Sequence, residues 1–354
     1  MTPNYSPKDY NVFIGIDVDK SKFSITVKDD HLKNVSKAMP ADPEALYNYI
    51  HNHHKDERVI CAYEAGPTGF RLHDYLNQRR QICFVTSPIT IPRARNQKVK
   101  NNRIDSNTIA HYLRSGELKA VRVPEGEYRE LRHLIHSRER YASDRKKAKQ
   151  RIKGLLLYTS LHNEIKEPEQ NWSKRYIREL KQLPCSEAVG QRLDLLLSDL
   201  DYTRRQTCLI LKELRTFCKT HSEIQKYKGY LESIPGIGFI TATTLLANIG
   251  NPNNLRNAQE LGGFFGLTPR EHSTGDNVTR GSITHLGNQQ MRQLLIEAAW
   301  VAIGNDPQLD QFYHRIKAKH HAAFAARKAI VAVARKLTQI IYCVLKEQRP
   351  YIKH

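Results

Sequence analysis

The first third of the chain alternates short apolar runs with polar segments, a pattern typical of a mixed α/β domain. The apolar runs predict strands at 12–17, 23–27, 34–39, 59–63 and 82–86. A helix is predicted over 43–54, and another carries Phe70, Leu72, Tyr75 and Leu76 on one face. The order β-β-β-α-β-α-β also suits a doubly wound nucleotide-binding domain. No G-x-G-x-x-G motif opens a helix after the first strand, which argues against that alternative.

Three acidic residues stand at the ends of these elements. Asp17 ends the first strand, Glu64 follows the fourth, and Asp105 lies in the first turn of a helix predicted over 104–113. A carboxylate at the tip of a buried strand is unfavourable unless it is paired or binds a metal ion. Asp105 alone would equally suit the helix dipole. Together the acids predict a Mg²⁺ or Mn²⁺ site for phosphodiester chemistry, in a layout similar to the RNase H and RuvC-like nucleases.

The charge balance favours a nucleic-acid partner. The chain has 56 Lys and Arg against 36 Asp and Glu, a formal charge of +20, and such an excess attracts polyanions. The six cysteines lack CxxC spacing, so reduced thiols are favoured over a zinc site or a disulfide framework. The sequence has neither a signal-peptide pattern nor an apolar run of membrane-spanning length, so we expect a cytoplasmic protein without a membrane partner. The basic loop after Pro92 contributes candidate phosphate contacts at Arg93, Arg95, Lys98, Lys100 and Arg103.

Two long helical patterns fill the middle of the chain. The region 127–157 keeps helical spacing of apolar residues, and a second apolar stripe runs from about 187 to 221. Joined by the connector 161–184, they predict an antiparallel coiled-coil hairpin that either dimerises the protein or also grips nucleic acid. Most charge runs are solvated helix faces, but the net charge favours phosphate contact here, through Arg145, Lys146, Lys147, Lys149 and Arg151.

A tight turn separates two predicted helices within 231–250. Its sequence, Pro-Gly-Ile-Gly, is similar to the turn of a helix-hairpin-helix motif. In that motif Gly236 and Gly238 would let backbone N–H groups approach a phosphate. A plain helical turn at Pro-Gly is the alternative.

A polar, glycine-punctuated segment follows, and it is predicted to be a loop until a helix begins at Gln289. Ser273 and Thr274 lie in this loop, with Arg270 and Arg280 as nearby cations. Hydroxyl groups in loops usually make turns or helix caps. The residues alone therefore do not identify a nucleophile.

The segment 261–300, preceded by the helical turn and by the acid-bearing domain, resembles the transposases of the IS110 family, particularly its IS1111 branch. The resemblance covers nearly the whole chain. It implies a RuvC-like DEDD domain at 10–120, a helical coiled-coil region at 125–225 and a C-terminal transposase domain at 228–347.

The resemblance also implies an activity and partners. Members are bacterial recombinases, here expected at the nucleoid, that a structured non-coding guide RNA directs to donor and target DNA. They form dimers or tetramers in which subunits share a site. Asp17, Glu64 and Asp105 match the metal-binding acids of the family, and Ser273 matches its catalytic serine.

The chain departs from the family pattern at two positions. Relatives carry two acids three positions apart, as in KTDRID, whereas this chain reads KNNRID with Asn102 at the first of them. Asparagine offers an oxygen ligand without charge, so metal affinity should fall; Asp19 is a weaker substitute, since it suits a cap on the hairpin turn. The string STG replaces SSG-like versions, and Ser273 is preferred to Thr274 because a primary hydroxyl is less hindered.

Three activities remain open at this point. The first is recombination through a Ser273–DNA bond with Mg²⁺ held by Asp17, Glu64, Asn102 and Asp105, in which pairing with the guide RNA selects the DNA. The second is a junction nuclease that uses water. The third is an RNA- and DNA-binding protein whose catalysis is impaired by Asn102.

Overall fold

The computed structural model describes residues 5–29, 34–87, 102–166, 172–274, 277–283 and 287–353, without the side chains of 102–104, 270–274, 277–280 and 322. Two units pack separately, Met1–Val123 and Pro124–His354. The finer division into three regions stays a prediction.

The first unit is built on a mixed sheet. Its strands are β1 Val12–Val18, β2 Lys22–Asp29, β3 Asn34–Pro40, β4 Val59–Glu64, β5 Cys83–Thr86 and β6 Ala120–Val121. Their order is β3-β2-β1-β4-β5-β6, with β1–β4 and β4–β5 parallel and the other pairs antiparallel. The predicted hairpin is confirmed, and the N–H of Asp19 donates to the Lys22 carbonyl across its turn. The two-residue β6 was too short to predict from periodicity.

Helices cover both faces of this sheet, because its central strands are apolar on both sides. They are α1 Pro43–His53, α2 Arg71–Gln78 and α3 Asn102–Ser115. One face, which includes Ile14, packs on Leu46 of α1 and Leu76 of α2. The other, which includes Phe13, packs on Ile109 of α3. The first unit is therefore a three-layer α/β/α structure, and the predicted mixed α/β class is confirmed.

The second unit is mainly helical. It comprises α4 Gly126–Tyr158, α5 Lys174–Leu180, α6 Glu187–Thr220, α7 Ser222–Glu232, α8 Phe239–Ile249, α9 Ala258–Phe264, α10 Gln289–Ile303, α11 Pro307–Lys317 and α12 Ala322–Glu347, with strands β7 Pro269–Thr274 and β8 Asn277–Ile283. No helix within the described ranges is long and apolar enough to cross a membrane.

The long helices α4 and α6 pair in opposite directions. Leu131 near the start of α4 shares a core with Leu214 near the end of α6. Ile152 near the end of α4 shares a second core with Leu193 near the start of α6. The antiparallel hairpin is thus confirmed. Its connector holds an unpredicted helix, α5, whose Leu180 belongs to the second core.

The prediction of a loop between 261 and 288 is wrong. α9 occupies its start, and β7 pairs with β8, with Ser273 opposite Val278 and Thr274 opposite Asn277. The Gly-Asp pair that joins two strand-forming runs is a hairpin signal. The same glycine is also typical of loops, which is why the periodicity alone predicts a loop here. Ser273 therefore lies in a strand.

Candidate functional site

Asp17 and Glu64 lie at one edge of the central sheet. β1 and β4 are parallel, and their last matched residues are Ile16 and Tyr63, so Asp17 and Glu64 follow at the next step of the same register. Side chains alternate along a strand, so Asp17 projects to the same face as Gly15, which lies against α3. We call this carboxylate-bearing end of β1 and β4 the acid edge.

Gly15 lets α3 pack directly on the backbone of β1. A Cβ atom at Gly15 would lie 2.1 Å from the Ser106 carbonyl oxygen and 2.4 Å from the Ala110 nitrogen. The buried Ser106 hydroxyl also hydrogen-bonds to the Thr26 hydroxyl of β2 at 2.9 Å. This contact was not predicted, although a lone glycine inside an apolar strand is the signal for such a close approach.

Two contacts determine the direction of α3 across the sheet. Ser106 meets Thr26, whereas eight residues later Arg114 Nη1 donates to the Asp29 carbonyl at 3.4 Å. Thr26 pairs with Gly15, and Asp29 pairs with the first residue of β1. α3 therefore runs against β1, and its first turn points towards the acid edge.

Asp105 lies in that first turn, at the end of α3 that points towards the acid edge. Asn102 begins the same helix, and its side chain is outside the described atoms. Asp17, Glu64 and Asp105 are all partly buried. Asp17 and Glu64 therefore share one edge and one face of the sheet, and the helix that carries Asp105 begins towards that edge.

The donor set suits Mg²⁺ in its chemistry. Carboxylate oxygens are hard ligands, and Mg²⁺ is usually held through one or two carboxylates together with substrate phosphates and water. Among the described side chains, no three His, Cys, Asp or Glu residues are gathered closely enough to hold a metal by themselves. The carboxylates of the acid edge are thus the kind of ligand that Mg²⁺ takes in proteins.

The hairpin that carries Ser273 belongs to the second unit. Ser273 lies in β7, Arg280 lies in β8, and Arg270 falls at a register irregularity between Pro269 and Glu271. The side chains of the serine and the two arginines are outside the described atoms. Their predicted roles stay predictions.

Asn288 ties the exit of this hairpin to the helical core. Its side-chain oxygen accepts from the N–H groups of Gln290 and Met291 at 3.1 Å, which caps α10. Its Nδ2 donates to the Asn248 oxygen of α8 at 2.9 Å, and its backbone N–H donates to the Phe264 carbonyl of α9. We did not predict this residue, although an asparagine just before an apolar helix is an N-cap signal.

The glycines of the α7–α8 turn differ in their surroundings. Gly236 has φ of +83°, and a Cβ atom there would lie 2.1 Å from the Ala298 carbonyl oxygen of α10. Gly238 is the N-cap of α8, has no side-chain cap, and a Cβ atom there would meet nothing within 4 Å. Gly236 therefore serves packing, whereas Gly238 leaves the first turn of α8 open.

Cations flank the open turn. The Arg215 guanidinium lies 5.5 Å and the Lys228 ammonium 5.8 Å from the centre of the Phe239 ring, at the first position of α8. Lys228 also pairs with Glu232 at 2.7 Å, so Arg215 carries more of the free positive charge. Helix N-termini attract anions through their N–H groups and dipole, and this one has basic neighbours.

The basic run on α4 is only partly free to bind phosphate. Lys147 lies 3.5 Å from the Asp144 carboxylate, and hydrogen bonding from Arg140 lowers the pKa of Asp144. Lys149 lies over the Trp172 ring at 5.4 Å. All five predicted cations on α4 have wholly or partly exposed side chains, but Lys147 and Lys149 make the contacts just described, which leaves Arg145, Lys146 and Arg151 as the better candidates. The other predicted phosphate contacts lie outside the described residues or side chains; they are Arg93, Arg95, Lys98, Lys100 and Arg103.

Comparison with known proteins identifies the family. Residues 228–314 match a model described as Transposase IS116/IS110/IS902 family, and residues 14–160 match an IS110 DEDD model described as Transposase. Over 306 residues the chain is 30% identical to y4qE of Sinorhizobium fredii, which is named as a transposase, and the match covers 85% of this chain and 74% of that protein. The chain belongs to the IS110/IS116 family of transposases.

Other relatives agree with this assignment. The transposase for insertion sequence element IS1111A of Coxiella burnetii is 28% identical over 259 residues, 71% of this chain and 68% of that protein. The pilin gene-inverting protein of Moraxella bovis is 32% identical over 133 residues, 37% of this chain and 40% of that protein. Membership of this family implies DNA recombinase or transposase activity. The acid edge lies in one matched region and Ser273 in the other.

Proposed function

We propose that this IS110-family transposase cuts and rejoins DNA through a covalent bond between Ser273 and a DNA phosphate, with Mg²⁺ at the acid edge. The observation that carries the proposal is the arrival of carboxylates from β1, β4 and α3 at one edge of the sheet. The strand order β3-β2-β1-β4-β5, with β2 antiparallel to β1, supports a RuvC-like assignment for this unit. Acids at the carboxyl ends of central strands support phosphodiester chemistry.

Asp17, Glu64 and Asp105, with the amide oxygen of Asn102, would hold the ion. Bound there, Mg²⁺ supplies positive charge that offsets the charge of the scissile phosphate. The asparagine contributes one negative charge fewer than the family's acid, so we expect weaker Mg²⁺ binding than with aspartate at this position. Asn102→Asp should therefore lower the Mg²⁺ concentration needed for activity.

Ser273 supplies the nucleophile in this proposal. Its Oγ loses a proton and forms a bond to phosphorus, while the bond from phosphorus to one deoxyribose oxygen breaks and that oxygen takes a proton. A hydroxyl of the second DNA strand then loses its proton and attacks the same phosphorus, while the bond from phosphorus to the Ser273 Oγ breaks and that oxygen takes a proton. Arg270 and Arg280 would offset the extra negative charge on the phosphate oxygens in both steps.

Nucleic acid is held by several basic groups in the proposal. The open turn at Gly238, with Arg215 beside it, would bind a backbone phosphate as a helix-hairpin-helix motif does. The net charge of +20 supports a further polyanion, and we assign this role to a structured guide RNA that selects donor and target DNA. The acids and Ser273 belong to separate units, and in the proposed dimer or tetramer different subunits contribute them to one site.

One assay separates the alternatives. Purified protein is incubated with guide RNA, donor DNA, target DNA and Mg²⁺, and products are resolved on a denaturing gel. We expect a protein–DNA adduct that Ser273→Ala abolishes and the neighbouring Thr274→Ala retains. An adduct that persists in Ser273→Ala contradicts the assigned nucleophile. Cleavage without an adduct indicates a nuclease, and binding without cleavage that Asn102→Asp restores indicates an impaired enzyme.

The guide RNA needs its own arm of the assay. Omitting the RNA should abolish adduct formation on the target, whereas an unrelated RNA of equal length and charge should not restore it. Equal cleavage with and without RNA would contradict RNA guidance and leave the role of Ser273 intact.

A further inference from the structure

A cleft of about 550 Å³ lies between α4 and α6 near the end of their hairpin. Its volume is within the range of roughly 300–1,000 Å³ that is common for ligand sites. We call it the tip groove. Its lining comes from α4 through Arg151, Gly154, Leu155 and Tyr158, and from α6 through Arg192 and Leu196.

Tyr158 presents an open aromatic surface beside the groove. It is 86% exposed, and its neighbour Leu157 is 67% exposed. Tyrosine usually buries its ring, so exposure of this extent is unusual for the residue. A free ring of this kind provides a stacking surface for a nucleobase, whatever the identity of the base.

Two unpaired cations border the groove. Arg151 and Arg192 are exposed, and neither forms an ion pair within the described part of the chain. Other arginines on the same two helices are neutralised, as Arg140 is by Asp144 at 2.9 Å and Arg205 by an aspartate at 3.1 Å. Among the described residues that line the groove, none is an acid. Unpaired guanidinium groups suit a phosphate, which they bind with two parallel hydrogen bonds.

Gly154 keeps the floor of the groove open. It lies inside α4, one turn before Tyr158 and one turn after Arg151, so the three residues share a helix face. A Cβ atom at Gly154 would meet nothing within 4 Å. Glycine weakens a helix interior relative to alanine. Glycine at position 154 therefore makes α4 less stable, and the only space that a methyl group would fill there is the groove.

We propose that the tip groove binds an unpaired nucleotide of a nucleic-acid strand. The base stacks on Tyr158, and the adjoining phosphates contact Arg151 and Arg192. This site goes beyond recombination chemistry and uses neither the acid edge nor Ser273. A second copy of the chain is disfavoured as the occupant, because a two-fold contact would bring these arginines of both copies together without an acid.

The test measures binding of the full-length protein to fluorescent strands of about 12 nucleotides, within the site sizes of single-strand binders. Fluorescence anisotropy is recorded for single-stranded RNA, single-stranded DNA, the duplex, and a single strand with abasic positions. Tyr158→Leu keeps an apolar side chain and should weaken binding of both intact single strands roughly tenfold. Arg151→Gln should lower the salt dependence of single-strand binding by about 0.7 in log–log slope.

A matched pair of glycine variants separates the effect of the groove on strand binding from the effect of a changed protein stability. Gly154→Ala and Gly229→Ala each add a methyl group to an open helix position, so both should raise Tm by about 2 °C. Only Gly154→Ala should weaken single-strand binding, because Gly229 lies in α7 and does not line the groove.

Three results would overturn the proposal. The first is wild-type affinity for single strands in Tyr158→Leu or Gly154→Ala. The second is a loss of affinity in Tyr158→Leu that is as large for the duplex and for the abasic strand as for the intact single strands. That result would leave phosphate contact without base stacking. The third is a changed sedimentation coefficient in these variants with unchanged strand binding, which would make the groove a contact between copies of the chain.

Discussion

Replacing Gly15 with alanine tests how closely α3 packs on the backbone of β1. The added Cβ atom would lie 2.1 Å from the Ser106 carbonyl oxygen and 2.4 Å from the Ala110 nitrogen. Both are backbone atoms, so no rotation of a neighbouring side chain relieves the overlap. α3 must move away from β1, and Asp105 moves with it.

The size of the effect follows from the displacement. Atoms at these distances must separate to near the roughly 3.5 Å of ordinary contact, so α3 retreats by about 1 Å. A gap of this size removes about a quarter to a half of the dispersion attraction between the surfaces concerned, where Ile109 and Leu113 pack on Phe13. Overpacked substitutions typically cost about 1–3 kcal/mol. Because only backbone can yield here, we expect about 3 kcal/mol, against a typical total of roughly 5–15 kcal/mol.

Hydrogen exchange on the full-length protein measures the loss of stability of α3 directly. A loss of about 3 kcal/mol should lower protection of the α3 amides by roughly 150-fold, and Mg²⁺-dependent DNA cleavage should fall with it. Gly66→Ala is the matched control, because a Cβ atom there has its nearest neighbour at 3.9 Å, and it should preserve α3 protection. Wild-type protection of α3 in Gly15→Ala would refute the close packing of helix on strand.

Two further predictions concern the second unit. Gly236→Ala should lower Tm sharply in a thermal melt, because the added methyl group meets the Ala298 carbonyl and alanine disfavours a φ of +83°. Gly238→Ala should leave Tm unchanged and weaken DNA binding severalfold in anisotropy titrations. An equal Tm for the two variants would contradict the distinction between the two glycines. Burial raises the pKa of Glu139 on α4 above its ordinary value, so its contribution to stability is lost as pH rises through the folded-state pKa. Glu139→Gln should therefore melt above wild type at pH 8 and converge with it near pH 4, and a pH-independent difference would contradict this cause.

Local patterns predicted the first unit well because its strands are short, apolar and separated by clear breaks. The position of Asp17 and Glu64 at one edge was also within reach, since parallel strands place their carboxyl ends together. The direction of α3 across the sheet could not be predicted from the sequence. It depends on the contacts of Ser106 and Arg114 with β2, which join residues about 80 positions apart in the chain.

The second unit was harder to predict around Ser273. Glycine serves both loops and hairpin turns, so the segment was interpreted as a loop although its flanking residues favour strands. The cap at Asn288 follows a local rule, but its bond to Asn248 is a tertiary contact that periodicity does not encode. Asn102 was the reverse case, because the sequence identified the departure from the family and the structure adds only its place at the start of α3.

The length of α6, which pairs with α4, fixes the distance between two of the basic groups described above. Arg192 at the tip groove and Arg215 beside the α8 turn lie on the single helix α6, about 35 Å apart at 1.5 Å per residue. That span is close to one turn of duplex DNA, about 34–36 Å. A strand anchored at both arginines would be measured by a rigid helix, so the spacing between an unpaired nucleotide and a bound phosphate would be set by the length of α6.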